Sequence, residues 1–393
     1  MTNARSLPEL VKAQLPEAAV LREDLHRWPD LSGDEQETCD RLRAQFTDLP
    51  FHPVAETGGI LIGPGTTPRI GIRVELDALP IVEQTALPWA SQRPGVMHAC
   101  GHDVHAAAAV AVMRALSARQ DCDSHPSVAL ILQPREEKPP SGARDVVHSG
   151  LLQELGIAAV VGAHLQPALP RGVISCAPGA VNASADEFTI EIVGRPGHGA
   201  YPHRCDDVVL AMAATVQAVQ QIVARNVDPM QSAAITIGYL QAGSAANVLP
   251  GSAQAKGTIR ALNGQVRDRL IARLQEVVQG IADAHGCSAE LTVHGGEPAL
   301  VNDDRLTLST ARILTEWGES VDDQFRSMGA DDFSYYGEQI PALMMFVGVD
   351  DGRGGLHHPG FVPGNDSIDL TARSFLAGYL GAEELLTTAT QRR

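Results

Sequence analysis

Predominantly apolar runs recur along the chain, and stretches of helical character separate them. Strands covered on both faces carry such runs, because neither side of the strand meets water. These runs occupy residues 70–76, 128–132, 158–163 and 343–349. The alanine-rich residues 104–118 predict a helix with Asp103 as its N-cap. Short strands that alternate with helices predict an α/β domain with a mostly parallel sheet covered by helices.

The middle of the chain has a different pattern. Residues 187–193 alternate polar and apolar positions, as a half-exposed strand does. The elements predicted from there are a strand at 187–193, a helix at 206–224, strands at 234–240 and 253–262, an amphipathic helix at 265–284 and a strand at 289–294. This β-α-β-β-α-β order is that of a ferredoxin-like unit. We therefore predict an inserted domain, residues 183–294, within a catalytic domain made of residues 1–182 and 295–393.

Charge and cysteine content narrow the classes of partner. The 393 residues include 30 basic and 47 acidic ones, for a formal net charge of −17. Nucleic acids and anionic membranes are bound by basic surfaces, so we expect neither as a main partner. Residues 1–10 lack the apolar core of a secretory signal, and we expect no stretch near the ~20 apolar residues of a membrane span. Six scattered cysteines without a C-x-x-C pair indicate free thiols and a cytoplasmic location.

Polar side chains suited to metal binding or proton transfer follow the predicted strands. Open α/β sheets bind ligands at the carboxyl ends of their strands, so side chains placed there can face one crevice. The residues in question are Asp77, Glu136, Glu137, His164 and His357. A convergence of separate segments is stronger evidence for a site than any single motif among them.

The segment that opens the alanine-rich helix adds soft metal ligands. Cys100 and His102 are two residues apart, and a thiolate with an imidazole suits zinc or another first-row divalent metal. This spacing is common by chance, so taken alone it favours a buried thiol beside a loop histidine. His98 and His105 raise the local density of such side chains. They do not decide between a metal site and a buried thiol beside a loop histidine.

The Glu136-Glu137 pair also allows two interpretations. Adjacent acids are usually a solvated turn. However, a buried strand leads directly into the loop that carries this pair, so one carboxylate can instead bind metal while the other acts as general base. His164 and the pair His357-His358 are, one at a time, more often ordinary histidines than metal ligands.

Taken together, these segments resemble the aminoacylase/carboxypeptidase family of metallopeptidases, in the branch that has a cysteine in its central motif. That branch includes hippurate hydrolases, N-acyl-amino-acid amidohydrolases and auxin-conjugate hydrolases. The resemblance runs in order over nearly the whole chain. It is carried by Gly71-Ile-Arg-Val-Glu-Leu-Asp77-Ala-Leu-Pro80, Met97-His-Ala-Cys100-Gly-His102-Asp-Val-His105, Gln133-Pro-Arg-Glu136-Glu137, Gly162-Ala-His164, Gly197-His198-Gly-Ala-Tyr-Pro-His203, Asn247-Val-Leu-Pro250 and Leu356-His357-His358-Pro359.

The resemblance implies a role for each matched residue and one or two divalent metal ions (Zn, Mn, Co or Ni). The implied metal ligands are Cys100, His102, Glu137, His164 and His357, with the thiolate of Cys100 bridging two ions. Glu136 takes the place of the general base, and Asp77 that of an acid that orients the centre. The inserted domain is implied to form a homodimer, in which His198 reaches the partner's site and stabilises the oxyanion. Asn247 and Arg260 are implied to hold the substrate's carboxylate.

The resemblance therefore implies a metal-dependent amidohydrolase that cleaves small N-acyl-amino acids, hippurate-like ones included. A carboxypeptidase or dipeptidase on the same site is the runner-up. A thiol hydrolase with Cys100 as nucleophile, and a non-catalytic metal-binding protein, are the other classes. The chain departs from the family's usual pattern at Lys138-Pro139-Pro140, where glycines are expected, and at residues 329–333 and 74–77. These departures bear on substrate preference, since they remove no proposed ligand.

Overall fold

The structure is a computed structural model that describes residues 6–119, 121–350, 352 and 354–391, the last three of them by backbone alone. The first five residues, part of the segment considered above for a secretory signal, lie outside it. The chain forms two compact units. The first comprises Met1–Gly179, Val301–Phe325 and Tyr335–Arg393, and the second comprises Ala180–Leu300 and Arg326–Ser334. The predicted insert falls within the second unit, which also includes a short segment from later in the chain.

The predicted helices and strands all occur in the structure, together with further elements that were not predicted. In chain order the helices are α1 (Leu7–Arg27), α2 (Gln36–Arg43), α3 (His102–Ser117), α4 (Gly142–His148), α5 (Leu151–Glu154), α6 (Val208–Asn226), α7 (Gly264–Ala284), α8 (Asp304–Glu316), α9 (Ser334–Gly337) and α10 (Asp366–Gln391). The strands are β1 (Phe51–Val54), β2 (Gly58–Ile62), β3 (Thr66–Glu75), β4 (Pro126–Gln133), β5 (Ile157–Pro170), β6 (Val173–Ser175), β7 (Gly179–Asn182), β8 (Ser184–Val193), β9 (Gly197–His198), β10 (Ala233–Ala242), β11 (Val248–Leu249), β12 (Ser252–Ala261), β13 (Ser288–His294), β14 (Leu300–Asn302), β15 (Ser320–Asp322) and β16 (Ala342–Asp350).

The first unit is built on an eight-stranded sheet in the order β1-β2-β4-β3-β5-β16-β6-β15. Its four central strands, β4, β3, β5 and β16, are mutually parallel. Antiparallel pairs occur toward the edges, where β2 meets β4, β1 meets β2 and β6 meets β16. The α/β class is confirmed, and the mostly parallel character belongs to the centre of a mixed sheet.

A single large apolar cluster fills one side of this sheet. It joins alternate residues of the central strands to α1, α3, α8 and α10. The alanine-rich α3 is buried along almost its whole length, which explains why its sequence lacks a polar face. The opposite side of the sheet carries the shorter helices α4 and α5, which pack near β4 and β5.

The start of α3 differs from the sequence prediction. Gly101, not Asp103, occupies the N-cap position, with a φ of 92°. A Cβ atom at Gly101 would lie 2.6 Å from Cδ1 of Leu165, so the position requires glycine. Asp103 lies in the first turn of the helix, where its Oδ2 accepts a hydrogen bond from Arg22 Nε at 3.1 Å. The prediction of Asp103 as N-cap is therefore wrong, because tertiary partners use its carboxylate.

The second unit has a four-stranded antiparallel sheet in the order β10-β12-β8-β13. With α6 and α7 between its strands in the chain, this is the strand order of a ferredoxin-like unit. Alternate side chains of β8, namely Phe188, Ile190 and Ile192, are buried in a core that these two helices share. The predicted elements of this segment agree with the structure to within a few residues.

Within the described residues, α6 has the length and apolar composition that a membrane crossing requires, with a mean hydropathy of 1.4. The expectation that no stretch reaches such a composition is therefore corrected. Six residues of α6 are buried in the core of the second unit. The helix therefore has the packing of an amphipathic core helix on a sheet, and alanine and valine raise its hydropathy.

Candidate metal centre and active site

The parallel centre of the first unit's sheet brings the predicted ligands together. Glu136 and Glu137 follow β4, and Asp77 follows β3. His164 lies within β5, which runs on to Pro170 and pairs His164 with Phe346 of β16. These neighbouring strands point the same way, so the residues that leave them meet at one edge. The turn into α3 brings Cys100 and His102 to the same edge.

Measured distances show how closely the five predicted ligands converge. Cys100 Sγ lies 3.4 Å from His164 Nε2, and His357 Nε2 lies 3.2 Å from Glu137 Oε1. His102 Nε2 lies 4.0 Å from Glu137 Oε1. Several groups have ligand atoms that all lie within 4.8 Å of one another, among them Cys100 with His102 and His164, Cys100 with Glu137 and His357, and His102 with Glu136 and Glu137. Cys100 belongs to the first two of these groups.

The tautomers of two histidines suit metal binding. Nδ1 of His102 donates to the carbonyl of Asp77 at 2.8 Å, and Nδ1 of His164 donates to the carbonyl of Leu165 at 2.8 Å. A carbonyl oxygen can only accept, so each neutral imidazole carries its proton on Nδ1 and a lone pair on Nε2. Nε2 of His102 is buried and has no hydrogen-bond partner among the described atoms. A backbone-oriented imidazole with an unused lone pair is typical of a metal ligand.

The electrostatics of the cluster also fit a bound cation. Burial raises the pKa of the Cys100 thiol well above its usual range, and the carboxylates of Glu137 and Glu136 raise it further. Burial favours a neutral Glu137, yet His357 and His102 hold the pKa of its carboxyl below the ordinary value. The thiol and two carboxylates are therefore crowded together, and the positive charge that compensates Glu137 comes from imidazoles, whose place a bound cation could take. Those residues fit one or two divalent metal ions.

Asp77 contacts the groups around the cluster directly. Its Oδ2 accepts from the backbone N–H of Glu137 at 2.9 Å and from Ser32 Oγ at 2.7 Å. Its Oδ1 lies 3.7 Å from Nδ1 of His102. The carboxylate can therefore orient both an imidazole and the segment that carries Glu137.

The structure also reveals a buried polar chain that the sequence analysis did not assign to the site. Arg73 forms an ion pair with Glu75, and Glu75 Oε2 lies 3.0 Å from Nδ1 of His105. Nε2 of His105 accepts from the backbone N–H of Leu165, next to His164, at 3.1 Å. An N–H can only donate, so the His105 proton lies on Nδ1, against Glu75. The available signal was the pair of charged residues, Arg73 and Glu75, within the predicted apolar run of residues 70–76.

His357 reaches the cluster from a loop with unusual backbone geometry. Its φ is 65°, in the left-handed region that non-glycine residues rarely adopt. The backbone N–H of His357 donates to the carbonyl of Ala99 at 2.8 Å. This bond ties the loop to the segment that carries Cys100. His98, in that same segment, is buried, and burial lowers its pKa to about 3, so it is a neutral neighbour of the cluster.

The residues predicted to contact substrate lie in the second unit and are described within it. His198 on β9 pairs with Val248 on β11, and the backbone N–H of Gly199 donates to the carbonyl of Asn247 at 2.8 Å. Nδ1 of His198 accepts from the N–H of Ala200 at 3.0 Å, so a neutral His198 carries its proton on Nε2. The exposed imidazole thus presents a donor.

Arg260 occupies a different part of the same unit. It lies on β12, between β8 and β10, where it pairs with Ala185 and Ala234. Neighbouring Ile259 and Ala261 are buried against the helices, so the half-buried Arg260 side chain lies on the other face of the sheet.

The chain is similar to known proteins of one family. Residues 71–373 match the sequence model of peptidase family M20/M25/M40. The chain is 36% identical over 371 residues to the N-acetyl-L-cysteine deacetylase of Bacillus subtilis, a match that covers 93% of this chain and 87% of that protein. It is 35% identical over 357 residues to the N-acetyldiaminopimelate deacetylase of Exiguobacterium sibiricum, covering 89% and 95%.

A solved structure shows the same family relationship. The crystal structure of the Bacillus subtilis YXEP protein, a dinuclear metal binding peptidase of family M20, superposes with a TM-score of 0.83 at 31% identity. The match covers 95% of this chain and 99% of that one. The resemblance found in the motifs is thereby confirmed: the chain belongs to peptidase family M20/M25/M40 and is a metal-dependent amidohydrolase.

Proposed function

We propose that this enzyme hydrolyses the amide bond of small N-acyl-amino acids and releases a carboxylate and a free amino acid. The observation that carries the proposal is the convergence of Cys100, His102 and His164 beside Glu136 and Glu137 at one edge of the sheet. The relatives named above as deacetylases of N-acetylated amino acids support N-acetyl substrates first. Hippurate-like N-benzoyl substrates are the second class, and dipeptides are the third.

The proposed cofactor is one or two ions of Zn, Mn, Co or Ni held by Cys100, His102, Glu137, His164 and His357. When bound, such an ion lowers the pKa of a water molecule and polarises a carbonyl group. The mixed thiolate, imidazole and carboxylate set suits this group of metals, whereas calcium and magnesium prefer oxygen ligands alone.

The chain's own residues would supply the remaining chemistry. Glu136, 3.9 Å from Nε2 of His102, takes the proton of the attacking water and returns it to the leaving amine. Nε2–H of His198 donates to the negative charge that develops on the carbonyl oxygen. Asn247 and Arg260 bind the carboxylate of the amino-acid part, a role that suits the bidentate guanidinium of arginine.

We further propose that the enzyme is a cytoplasmic homodimer formed through its second unit. β10 is an edge strand of that unit's sheet, and its Tyr239 and Leu240 are 43% and 51% exposed. Leu210, on α6, is 56% exposed. A strand with one unpaired edge and exposed apolar side chains suits the isologous contact of a two-fold dimer. The role of His198 in a partner's site depends on this dimer.

A thiol hydrolase with Cys100 as nucleophile is the competing mechanism. Burial and the two carboxylates keep Cys100 protonated in the absence of a cation, which disfavours it as a nucleophile. Chelation separates the two: EDTA abolishes the activity of a metal-dependent enzyme, and re-addition of metal restores it. Activity that survives EDTA but is lost on alkylation of Cys100 would establish the thiol mechanism instead.

The substrate is tested by measuring amino-acid release from N-acetyl, N-benzoyl and dipeptide panels, with Zn, Mn, Co and Ni loaded separately. The proposal expects N-acyl-amino acids to give the highest kcat/KM values. A preference for dipeptides over every N-acyl-amino acid would make the enzyme a dipeptidase. Release from none of these amides would contradict the proposed function.

A further inference from the structure

Arg135 immediately precedes the two glutamates of the candidate centre, and its backbone is strained. It lies in the loop between β4 and α4 with a φ of 51°. A non-glycine residue rarely adopts this left-handed conformation, which persists only where surrounding contacts enforce it. The Arg135 side chain is only 6% exposed. A long cationic side chain is seldom buried to this extent unless its donors are used.

Two hydrogen bonds of Arg135, one donated by its side chain and one accepted by its carbonyl, join both ends of its own loop. Its Nε donates to the carbonyl of Pro140 at 3.0 Å, and the backbone N–H of Gly142 donates to the Arg135 carbonyl at 3.1 Å. The loop is thereby closed around Glu136 and Glu137. Gly142 is required at this closure, because a Cβ there would lie 1.7 Å from the carbonyl oxygen of Pro134.

The guanidinium also connects the loop to two other elements. Nη1 donates to the carbonyl of Ala55 at 3.3 Å and to Glu56 Oε2 at 2.9 Å, both in the turn between β1 and β2. Nη2 donates to the carboxylate of Asp145 in α4. The rigid fork of an arginine can hold several acceptors at once, which the single ammonium of a lysine cannot.

The backbone N–H of Arg135 has a buried acceptor of its own. It donates to Oε1 of Glu35 at 2.9 Å, and that carboxylate also accepts from the backbone N–H of Gly33 at 2.8 Å and from Thr57 Oγ1 at 2.6 Å. The loop is thus anchored before Glu136 by its backbone and after Glu137 by the guanidinium.

We infer that Arg135 is a positioning residue that holds the loop of residues 135–142 in the conformation that directs Glu136 and Glu137 toward the metal-ligand cluster. In this chain, Lys138-Pro139-Pro140 stands where the family resemblance leads one to expect a flexible run of glycines. The prolines restrict the loop's backbone, and the clamp of Arg135 selects one of the remaining conformations. The inference rests on the proposed function only for the role of Glu136.

The test compares Arg135→Ala, Arg135→Gly and Arg135→Lys in the full-length, metal-loaded enzyme. Amide hydrogen exchange of the 135–145 segment, metal content, kcat and KM are measured for each. The alanine and glycine variants are expected to exchange at least about tenfold faster in this segment. Their kcat is expected to fall by about 10- to 100-fold with KM nearly unchanged, since small displacements of a catalytic group are costly. The lysine variant is expected to have exchange rates and a kcat between those of these two variants and those of the wild type.

The glycine variant separates the clamp from the backbone strain, because glycine adopts a positive φ freely. Arg373→Ala is the control: it removes another ion-paired arginine, 38% exposed, whose partners, Glu319 and Asp369, are outside the loop. Asp145→Asn removes the negative charge of one anchor, whose side chain is 44% exposed, and is expected to give a smaller change of the same kind. It keeps the inference testable if an Arg135 variant fails to fold.

The outcomes are separable from those of the proposed function. Unchanged exchange in the alanine and glycine variants overturns the inference whether or not the enzyme cleaves amides. Faster exchange with unchanged kcat also overturns it, because the clamp then does not position Glu136. A wild-type enzyme inactive on every amide contradicts the proposed function alone, while the exchange measurement still decides whether the clamp exists.

Discussion

The backbone N–H of Glu137 donates a hydrogen bond to Oδ2 of Asp77 at 2.9 Å, across 60 positions of sequence. Ser32 Oγ donates to the same oxygen at 2.7 Å, and Oδ1 lies near His102. In Asp77→Asn one of the two carboxylate oxygens becomes an NH2 group, so one acceptor is lost. We expect metal affinity to fall about 10- to 100-fold, as for other groups that orient ligands.

Metal titration of the chelated protein, followed by elemental analysis, measures this effect. Asp30→Asn is the matched control, since Asp30 is equally buried and accepts two hydrogen bonds from Thr38. An equal loss of metal affinity in both variants would show a general destabilisation and contradict the specific role of Asp77.

Glu136 and Glu137 are adjacent but are predicted to have different roles, Glu136 as general base and Glu137 as metal ligand. Glu136→Gln keeps the shape of the side chain and removes its ability to take a proton. We expect kcat to fall at least about 100-fold, the lower end for loss of a general base, with metal content preserved. The matched change in the neighbour, Glu137→Gln, is expected to lower metal content as well. A Glu136→Gln enzyme with the wild-type rate would contradict the assignment.

His26 provides a pH-dependent contribution to stability away from the ligands. It is buried, which by itself lowers its pKa, but Asp103 and Glu83 outweigh this and raise the pKa from 6.5 to about 9. Nδ1 of His26 lies 3.0 Å from Asp103 Oδ2, and Nε2 lies 3.4 Å from Glu83 Oε1. The protonated imidazole therefore stabilises the folded state fully below pH 6.5. This stabilisation is lost as the pH rises through about 9.

His26→Gln is expected to remove this dependence. The difference in unfolding free energy between wild type and variant should shrink by about 3 kcal/mol as the pH rises between these two limits. Urea unfolding from pH 6 to pH 10 measures it, in steps of about one pH unit, with exposed His148→Gln as the control. A difference that stays constant over the whole range would contradict the ion pairs of His26.

Subunit complementation tests the proposed dimer and the role of His198 together. Glu136→Gln and His198→Ala subunits are each expected to be nearly inactive as homodimers. A purified heterodimer of the two contains one site with both residues intact, so it should show about half of the wild-type rate in a two-fold dimer. A heterodimer as inactive as its parents would contradict a site shared between subunits.

The sequence allowed the candidate ligands to be predicted, because each lies just beyond an apolar run or at the opening of an apolar helix, although β5 itself continues past His164 to Pro170. The sequence did not show which strands lie next to each other in the sheet. β16 follows β5 by more than 170 positions, yet the two pair in parallel along their length, with Phe346 opposite His164. Pairing between distant strands depends on the whole sheet, so local periodicity does not specify it.

The same distinction explains the predictions that needed correction. Asp103 has the residue type and the position of an N-cap, and local propensity alone favours that role. In the folded chain its carboxylate is bonded by Arg22 and His26, which lie 81 and 77 positions earlier in α1. An unpaired carboxylate is costly in a buried environment, so ion pairs with Arg22 and His26 stabilise Asp103 more than a capping hydrogen bond would.

The sequence by itself determined the two kinds of repeating element, the residue types of the metal cluster and the order of the family's motifs. All of these depend on side-chain chemistry and on spacings of a few residues. Only the tertiary structure decided the tautomers of His102 and His164, the buried chain from Arg73 to His105, and the closure of the loop by Arg135. Each of these depends on which backbone carbonyl, N–H or carboxylate comes within hydrogen-bonding distance, and folding brings such groups together from distant parts of the chain.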